Sequence, residues 1–215
     1  EWAHLLLGCT VLAFALAAQL ALVLPWGKRR PSHGSKRTPV KTMIILGSGG
    51  HTAEMFRMLR GMDMRRYSPR VYVVAATDTH SRKKVETFEA SAGGGGDYEV
   101  LVIPRSREVG QSYVTSVATT LYACFYASFL VCRSLPDLLL CNGPGTCVPL
   151  CAAAYIPRVL GVRHISIMYV ESICRVDDIS LSAKLMYWMV DRLLVQWKEL
   201  VDKYPKAEFI GLLSQ

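Results

Sequence analysis

The sequence predicts an α/β protein in which a Rossmann-like parallel sheet is preceded by a single transmembrane helix. The first observation is an uncharged run at residues 5–24. The second is a basic stretch, because six Lys and Arg residues and no acid lie within residues 28–41. The third is that short apolar runs alternate with longer segments over residues 42–215. Such alternation is typical of a parallel sheet with helices on both faces.

Residues 1–26 are predicted to form the membrane anchor. About 20 apolar residues, at ~1.5 Å each, cross a hydrocarbon core of about 30 Å. Basic residues beside a span favour the cytosolic side, so a basic linker at residues 27–41 would hold the following domain in the cytosol. A signal peptide is the alternative. It requires a shorter apolar core and a small-residue cleavage site, and Leu22-Val-Leu-Pro25 is a poor cleavage site.

The strands of the predicted domain, residues 42–215, are short apolar runs that stop at turn residues. The first run stops at Gly47, and the third ends before Pro104. Runs of this kind are typical of strands buried on both faces. Strands are predicted at residues 42–46, 71–76, 98–103, 138–141, 164–170, 192–196 and 208–212. Helices are predicted at residues 51–62, 81–90, 112–134, 147–160, 181–189 and 199–203, with a flexible glycine loop at residues 93–96.

The predicted helix at residues 112–134 permits two interpretations. No charge occurs over residues 111–132, so a second membrane span has to be weighed. Six Ser and Thr residues make the segment only moderately apolar, and a span would break the αβ alternation. A core helix is therefore preferred. Its tyrosines would suit a face at the lipid interface; they are Tyr113, Tyr122 and Tyr126.

The composition restricts the partners. The formal net charge is +8, but the basic linker supplies most of the excess, so the charge indicates anionic lipid head groups rather than nucleic acid. The seven cysteines include no CxxC pair and no Cys/His cluster with ligand spacing. They are therefore predicted to be reduced thiols, most of them buried, and neither zinc nor any other metal is expected. No cofactor is predicted.

A phosphate-binding turn is predicted directly after the first strand, where the chain reads Gly47-Ser48-Gly49-Gly50-His51-Thr52. Glycines there let the backbone approach a phosphate, and the N-terminus of the next helix attracts the anion. A plain glycine turn is the alternative. A dinucleotide fingerprint would need glycine at position 52, and Asp78 lies too far along the chain for its acid. A P-loop is excluded because no Gly-Lys-Ser/Thr follows.

His51 is the candidate catalytic base. It lies at the start of a helix beside whatever the glycine turn binds, and a neutral imidazole can take a proton from a sugar hydroxyl. Glu54, three residues further on, could orient the ring. The alternative is that His51 only caps the helix.

Polar residues also follow the later strands, and parallel strands place these loops on one edge of the sheet. Arg105, Arg107 and Arg175 could neutralise a pyrophosphate, because guanidinium groups pair well with phosphate oxygens. Asn142 and Glu171 could bond sugar hydroxyls. Any one of them could equally be a cap or part of a structural ion pair. Their occurrence together at one edge favours a ligand site.

At these loops the chain resembles a known family, the membrane-anchoring subunits of the eukaryotic UDP-N-acetylglucosamine transferase of asparagine-linked glycosylation. The likeness covers about residues 42–213. Its motifs are residues 47–52, 104–108, 141–147 and 169–175, together with Gln196-Trp197. More distantly, the chain resembles the N-terminal half of the bacterial lipid II-forming N-acetylglucosaminyltransferase, a two-domain GT-B enzyme. The glycine-rich residues 93–96 and the basic linker depart from the family pattern.

The resemblance implies a subunit at the endoplasmic reticulum membrane, single-pass, with its domain on the cytosolic face. The complex would add the second N-acetylglucosamine, from UDP-GlcNAc, to dolichyl-diphosphate-GlcNAc. This chain would bind the acceptor, and a soluble subunit would bind the nucleotide sugar. His51 and Glu171 are the implied catalytic residues. Together with the strand-end residues above, this predicts an acceptor diphosphate site made of Gly47, Ser48, Gly49, Gly50, Thr52, Arg105, Arg107, Asn142 and Arg175. The implied partner interface is Gly211, Leu212 and Leu213.

The domain count agrees with this expectation. A GT-B enzyme needs two Rossmann-like domains, whereas the pattern here predicts one, so the chain is expected to be inactive alone. Two other functions stay open. One is a pure membrane tether that contributes no active-site residue. The other is a membrane-bound NAD-type Rossmann enzyme.

Overall fold

A computed structural model describes residues 2–24, 39–91, 97–106, 110–143 and 145–213. The helices are α1 (Trp2–Val23), α2 (Gly50–Arg60), α3 (Thr79–Ser91), α4 (Tyr113–Ser134), α5 (Cys147–Val159), α6 (Leu181–Met186) and α7 (Glu199–Lys203). The strands are β1 (Thr42–Ile45), β2 (Arg70–Ala75), β3 (Tyr98–Ile103), β4 (Leu138–Asn142), β5 (Ser166–Val170), β6 (Arg192–Val195) and β7 (Ala207–Phe209).

The seven strands form one parallel sheet in the order β3-β2-β1-β4-β5-β6-β7. From β1 the chain first builds outward to β3, then returns to β4 beside β1 and builds outward in the other direction. The loops after β1 and β4 therefore diverge and leave a crevice at the carboxyl ends of these strands, where open α/β sheets bind ligands. The predicted Rossmann-like fold is confirmed.

The sheet separates two apolar layers. Along β1, Met43 and Ile45 face one layer, whereas Ile44 and Leu46 face the other, as the two-residue period of a strand requires. The first layer holds residues of α4, α5 and α6, and the second holds residues of α2 and α3. Burial on both faces explains why the strands are continuous apolar runs.

Two buried ion pairs fasten helices to the sheet. Arg70 on β2 bonds Glu89 on α3 through two contacts of 2.7 and 2.6 Å, and Tyr72 donates a hydrogen bond of 2.5 Å to the same carboxylate. Arg158 on α5 bonds Asp191, which precedes β6. Burial raises the pKa of the Tyr72 hydroxyl, so it acts as a hydrogen-bond donor.

Among the described residues, α1 and a segment of α4, Val114–Ser134, are long and apolar enough to cross a membrane. The two differ in packing. Only the end of α1 reaches the body of the domain, where Val23 and Leu24 pack against the core near α5. The inner face of α4 packs on α5 through small residues such as Ala123 and Ala127.

Several predicted boundaries differ from the observed ones. The last strand ends at Phe209 rather than at residue 212, because Gly211 adopts φ +78° and turns the chain. Helix α6 stops at Met186, and residues 187–189 form turns. The glycine loop at residues 93–96 lies outside the described residues. So do positions 1, 25 and 26 of the predicted anchor and most of the predicted linker.

Candidate functional site

A cleft of about 640 Å³ opens at the carboxyl ends of β1 to β5. The loop after β1 contributes Gly47, Ser48 and His51, and the loops after β3 and β5 contribute Arg105 and Arg175. These three loops and the loop after β4, which contributes Gly143, lie far apart in sequence but meet at one site, because the sheet is parallel and reverses its order between β1 and β4. The remaining wall includes Ser106, Ser116, Thr120, Gly143, Gly145, Thr146, Leu181 and Leu185.

The glycine turn is held from below. Gly49, the residue before α2, has φ +63° and ψ −117°, a conformation that suits glycine. Thr52 is fully buried; its hydroxyl donates to the carbonyl of Gly47 and lies 3.0 Å from the hydroxyl of Ser81. Thr52 therefore holds the turn from its buried side. Its predicted contact with the diphosphate would require it to face the cleft, and it does not.

Asp78, the acid considered for a dinucleotide site, bonds the start of α3 instead. Asp78 accepts hydrogen bonds of 3.0 and 2.6 Å from the backbone amide and the hydroxyl of Ser81, in the first turn of α3. This is the arrangement of a helix N-cap.

His51 lies half-buried in the first turn of α2, with Nδ1 3.3 Å from the amide oxygen of Asn142. Its ring lies directly against the backbone of Gly143, which has φ +72°. A Cβ atom at that position would come within 2.2 Å of the imidazole. Asn142 itself is buried and stands behind the ring rather than in the cleft wall. Asn142 thus contacts His51 and does not line the cleft, whereas the sequence suggested that it contacts a sugar hydroxyl or the acceptor's diphosphate.

Positively charged side chains reach the cleft from both sides of β1, because β3 and β5 lie on opposite sides of it in the sheet. Arg105 and Arg175 line the cleft, and α2 points its N-terminus at it through the turn at Gly47 and Ser48. Guanidinium groups and a helix N-terminus together favour an anion with several oxygens, such as a diphosphate. Arg107, predicted to join them, lies outside the described residues, and Gly49 and Gly50 shape the turn without lining the cleft.

Glu171 does not lie where its predicted role requires. It is fully buried behind the cleft wall, and its two oxygens accept hydrogen bonds from the backbone amides of Ser172 and Ser180, at 3.1 and 2.8 Å. Burial raises the pKa of this carboxyl. Both oxygens of Glu171 thus bond the loop between β5 and α6, and the side chain does not line the cleft.

The C-terminal segment meets the same loop. The backbone amide of Leu213 donates to the side-chain oxygen of Gln196 at 2.9 Å, and the Gln196 amide donates to the carbonyl of Glu171 at 3.1 Å. Gly211, Leu212 and Leu213 are half-buried, so part of the predicted partner interface remains accessible.

The sequence missed the wall that α4 and α6 provide. Ser116 and Thr120 line the cleft from α4, and Leu181 and Leu185 line it from α6. In both helices the pair is spaced four residues apart, which places the two side chains on one face. That spacing was visible in the sequence, but only the packing of the two helices shows that these faces border the cleft.

The family described as oligosaccharide biosynthesis protein Alg14 like matches residues 42–213. The chain belongs to the Alg14 family. Two Alg14 relatives are named "UDP-N-acetylglucosamine transferase subunit ALG14". The one from Mus musculus is 44% identical over 207 residues, which cover 92% of this chain and 95% of the relative. The one from Homo sapiens is 40% identical over 212 residues, which cover 94% and 98%.

Solved structures share the fold of this Alg14 protein at low sequence identity. MurG from Acinetobacter baumannii superposes with a TM-score of 0.54 at 13% identity, over 80% of this chain and 45% of that chain. A putative UDP-N-acetylglucosamine 2-epimerase from Listeria monocytogenes gives 0.53 at 13% identity, over 79% and 42%. The chain thus spans less than half the length of these proteins. The prediction of one half of a GT-B fold is confirmed.

Proposed function

We propose that this chain is the membrane-anchored subunit of a UDP-N-acetylglucosamine transferase that adds the second N-acetylglucosamine to dolichyl-diphosphate-GlcNAc at the cytosolic face of the endoplasmic reticulum. The cleft binds the lipid-linked acceptor, and a soluble partner binds the nucleotide sugar. The observation that carries the proposal is the cleft itself, where a glycine turn at a helix N-terminus meets an imidazole and two guanidinium groups. Relatives named as transferase subunits support it.

The cleft residues divide the work. The amides at Gly47 and Ser48, with Arg105 and Arg175, hold the acceptor's diphosphate, since they supply hydrogen-bond donors and positive charge to the cleft. His51 accepts the proton of the acceptor's 4-hydroxyl while that oxygen attacks the anomeric carbon of the donor sugar. The carbon–oxygen bond to UDP breaks as the new glycosidic bond forms.

The first test is reconstitution. The isolated chain in membranes with dolichyl-diphosphate-GlcNAc and radiolabelled UDP-GlcNAc is expected to transfer no sugar, because it contains one Rossmann-like domain. Adding the soluble partner should give transfer. In that complex, Arg175→Ala should raise the KM for the acceptor about 10–100-fold, because a charge-assisted hydrogen bond contributes roughly 1.5–3 kcal/mol.

Arg57→Ala is the matched control for Arg175→Ala, since Arg57 is exposed on α2 and does not line the cleft. Its KM should stay unchanged. Robust transfer by the isolated chain would contradict the proposed division between two subunits. An unchanged KM for Arg175→Ala would contradict the diphosphate site.

The two apolar helices take different membrane roles in this proposal. Helix α1 crosses the bilayer, because it is 22 residues long and almost free of contacts with the domain. Helix α4 lies on the bilayer surface, because its inner face is occupied by α5. Its outer face exposes apolar side chains at helical spacing, namely Val114, Val117, Leu121, Phe125 and Phe129. Lipid contact there would bring the mouth of the cleft next to the acceptor's polyprenyl chain.

A fluorescent label tests the position of α4. An environment-sensitive dye on Phe125→Cys should shift to the blue when the complex is moved from detergent into vesicles, because the site enters an apolar phase. The same dye on Arg57→Cys should not shift, since α2 lies on the other layer of the domain. Serine replaces the exposed native thiols in both variants, namely Cys9, Cys132 and Cys174. Equal spectra at the two positions would exclude membrane contact by α4.

A further inference from the structure

A chain of buried polar side chains stands behind His51. The imidazole Nδ1 lies 3.3 Å from the Asn142 amide oxygen, and the Asn142 amide nitrogen donates to a carboxylate oxygen of Glu54 at 3.1 Å. The other Glu54 oxygen accepts a hydrogen bond of 2.8 Å from the hydroxyl of Ser172. Glu54, Asn142 and Ser172 are each at least 93% buried. These hydrogen bonds therefore connect the loop after β5, through α2 and β4, to the edge of the cleft.

The orientation of the Asn142 amide is decided by its surroundings. Its nitrogen faces two acceptors, the Glu54 carboxylate and the backbone carbonyl of Val170 at 3.4 Å. A flipped amide would place its oxygen against both, which leaves buried acceptors unpaired and costs about 1–3 kcal/mol for each. The oxygen of Asn142 must therefore face His51. An oxygen that can only accept requires a proton on Nδ1 of the imidazole.

We propose that Glu54 is a positioning residue that orients the Asn142 amide and so holds His51 in the Nδ1–H tautomer. Nε2 then carries the lone pair that accepts the proton of the acceptor's hydroxyl. When the proton arrives, His51 becomes an imidazolium whose Nδ1–H still points at the Asn142 oxygen, and the proton later leaves to water. This inference rests on the proposed role of His51 as the base.

The position of Glu54 is otherwise unexplained. The carboxylate is buried, and no ion pair with it is found in the part of the chain that the structure describes. A buried carboxylate is costly unless its hydrogen bonds are satisfied. An apolar side chain would join α2 to β4 more cheaply. An apolar residue at position 54 would not accept a hydrogen bond from Asn142, so the orientation of the Asn142 amide would be lost.

Two substitutions at one position separate orientation from packing. Glu54→Met fills similar space without accepting a hydrogen bond, so it releases the Asn142 amide. Glu54→Gln can keep the Asn142 amide in its orientation. The glutamine oxygen would accept from Asn142, and the glutamine nitrogen would donate to the Ser172 hydroxyl. In the assembled transferase, Glu54→Met should lower kcat about 10–100-fold, because a misdirected base is costly, while the KM for the acceptor changes less than threefold. Glu54→Gln should retain kcat within about threefold of the wild type.

The tautomer itself is read without activity. Solid-state ¹⁵N NMR of the histidine-labelled complex, with the His51 signals assigned by their loss in His51→Ala, should show a protonated Nδ1 and a bare Nε2. Glu54→Gln should preserve this spectrum, and Glu54→Met should show a mixture of tautomers. A wild-type His51 protonated on Nε2 overturns the inference whether or not any variant folds. So does an equal loss of kcat in Glu54→Met and Glu54→Gln.

The two proposals fail separately. If His51→Ala keeps full turnover, the base assignment is lost, whereas the control of the tautomer by Glu54 can still be observed in the spectrum. If the His51 tautomer is the same in the wild type and in both Glu54 variants while His51→Ala abolishes turnover, His51 is still the base and the positioning role of Glu54 is overturned. The thermal unfolding midpoint and partner assembly of each Glu54 variant separate loss of orientation from loss of the fold.

Discussion

His51→Ala is expected to lower the turnover number of the assembled transferase by about 10²–10⁴-fold, the usual contribution of a positioned general base. The ring lies at the edge of the cleft, and its Nδ1 lies within hydrogen-bond distance of the Asn142 amide oxygen. Because Gly143 has no Cβ, the ring has room beside it. The KM for the acceptor should change little, because the groups proposed to hold the diphosphate are untouched. Transfer of radiolabelled N-acetylglucosamine to dolichyl-diphosphate-GlcNAc measures both quantities.

His80→Ala is the matched control, since His80 is exposed on α3 and does not line the cleft. It should behave as the wild type. If His51→Ala inserts, binds its partner and turns over normally, the chain acts as a tether that contributes no catalytic base. That result would favour the alternative in which recruitment to the membrane is its whole task.

Glu89→Ala is expected to have the largest effect on stability. The Arg70 side chain is fully buried, and Glu89 is the carboxylate that neutralises it through two short contacts. Removing one partner of a buried ion pair costs about 3–5 kcal/mol, because the other charge stays buried. Two backbone carbonyls also bond the Arg70 guanidinium, but they leave its charge unneutralised. For a chain of this size, the thermal unfolding midpoint should fall by roughly 6–20 °C.

Glu86→Ala provides the comparison on the same helix. Glu86 pairs with Arg82 at 3.8 Å, and both side chains are more than half exposed, so the loss should be at most about 1 kcal/mol. Replacing the two buried charges and the hydroxyl that bonds them, as Arg70→Met, Tyr72→Phe and Glu89→Leu, should recover much of the lost stability, because the apolar set leaves no buried charge or hydroxyl unpaired. A Glu89→Ala midpoint close to that of Glu86→Ala would show that the buried pair does not hold α3 to β2.

The sequence predicted the parts of this protein that depend on local patterns. Apolar strands and the glycine turn are encoded within a few residues, so their positions were predictable to within a few residues. The assembly of the site was also predictable in outline. Loops after parallel strands share one edge of a sheet, and this topology brings Gly47, His51, Arg105 and Arg175 together although 128 positions separate the first from the last.

What the tertiary structure decided is the direction in which each polar side chain points. From the sequence, Glu171 was a candidate catalytic residue, and Glu54 was a residue that could orient the His51 ring. In the fold, the oxygens of Glu171 are taken by two backbone amides of its own loop, whereas Glu54 reaches the asparagine behind the imidazole. The cause is long-range packing of α2 against β4 and β5. A carboxylate's role depends on the donors that surround it, and those donors lie 88 and 118 positions away from Glu54.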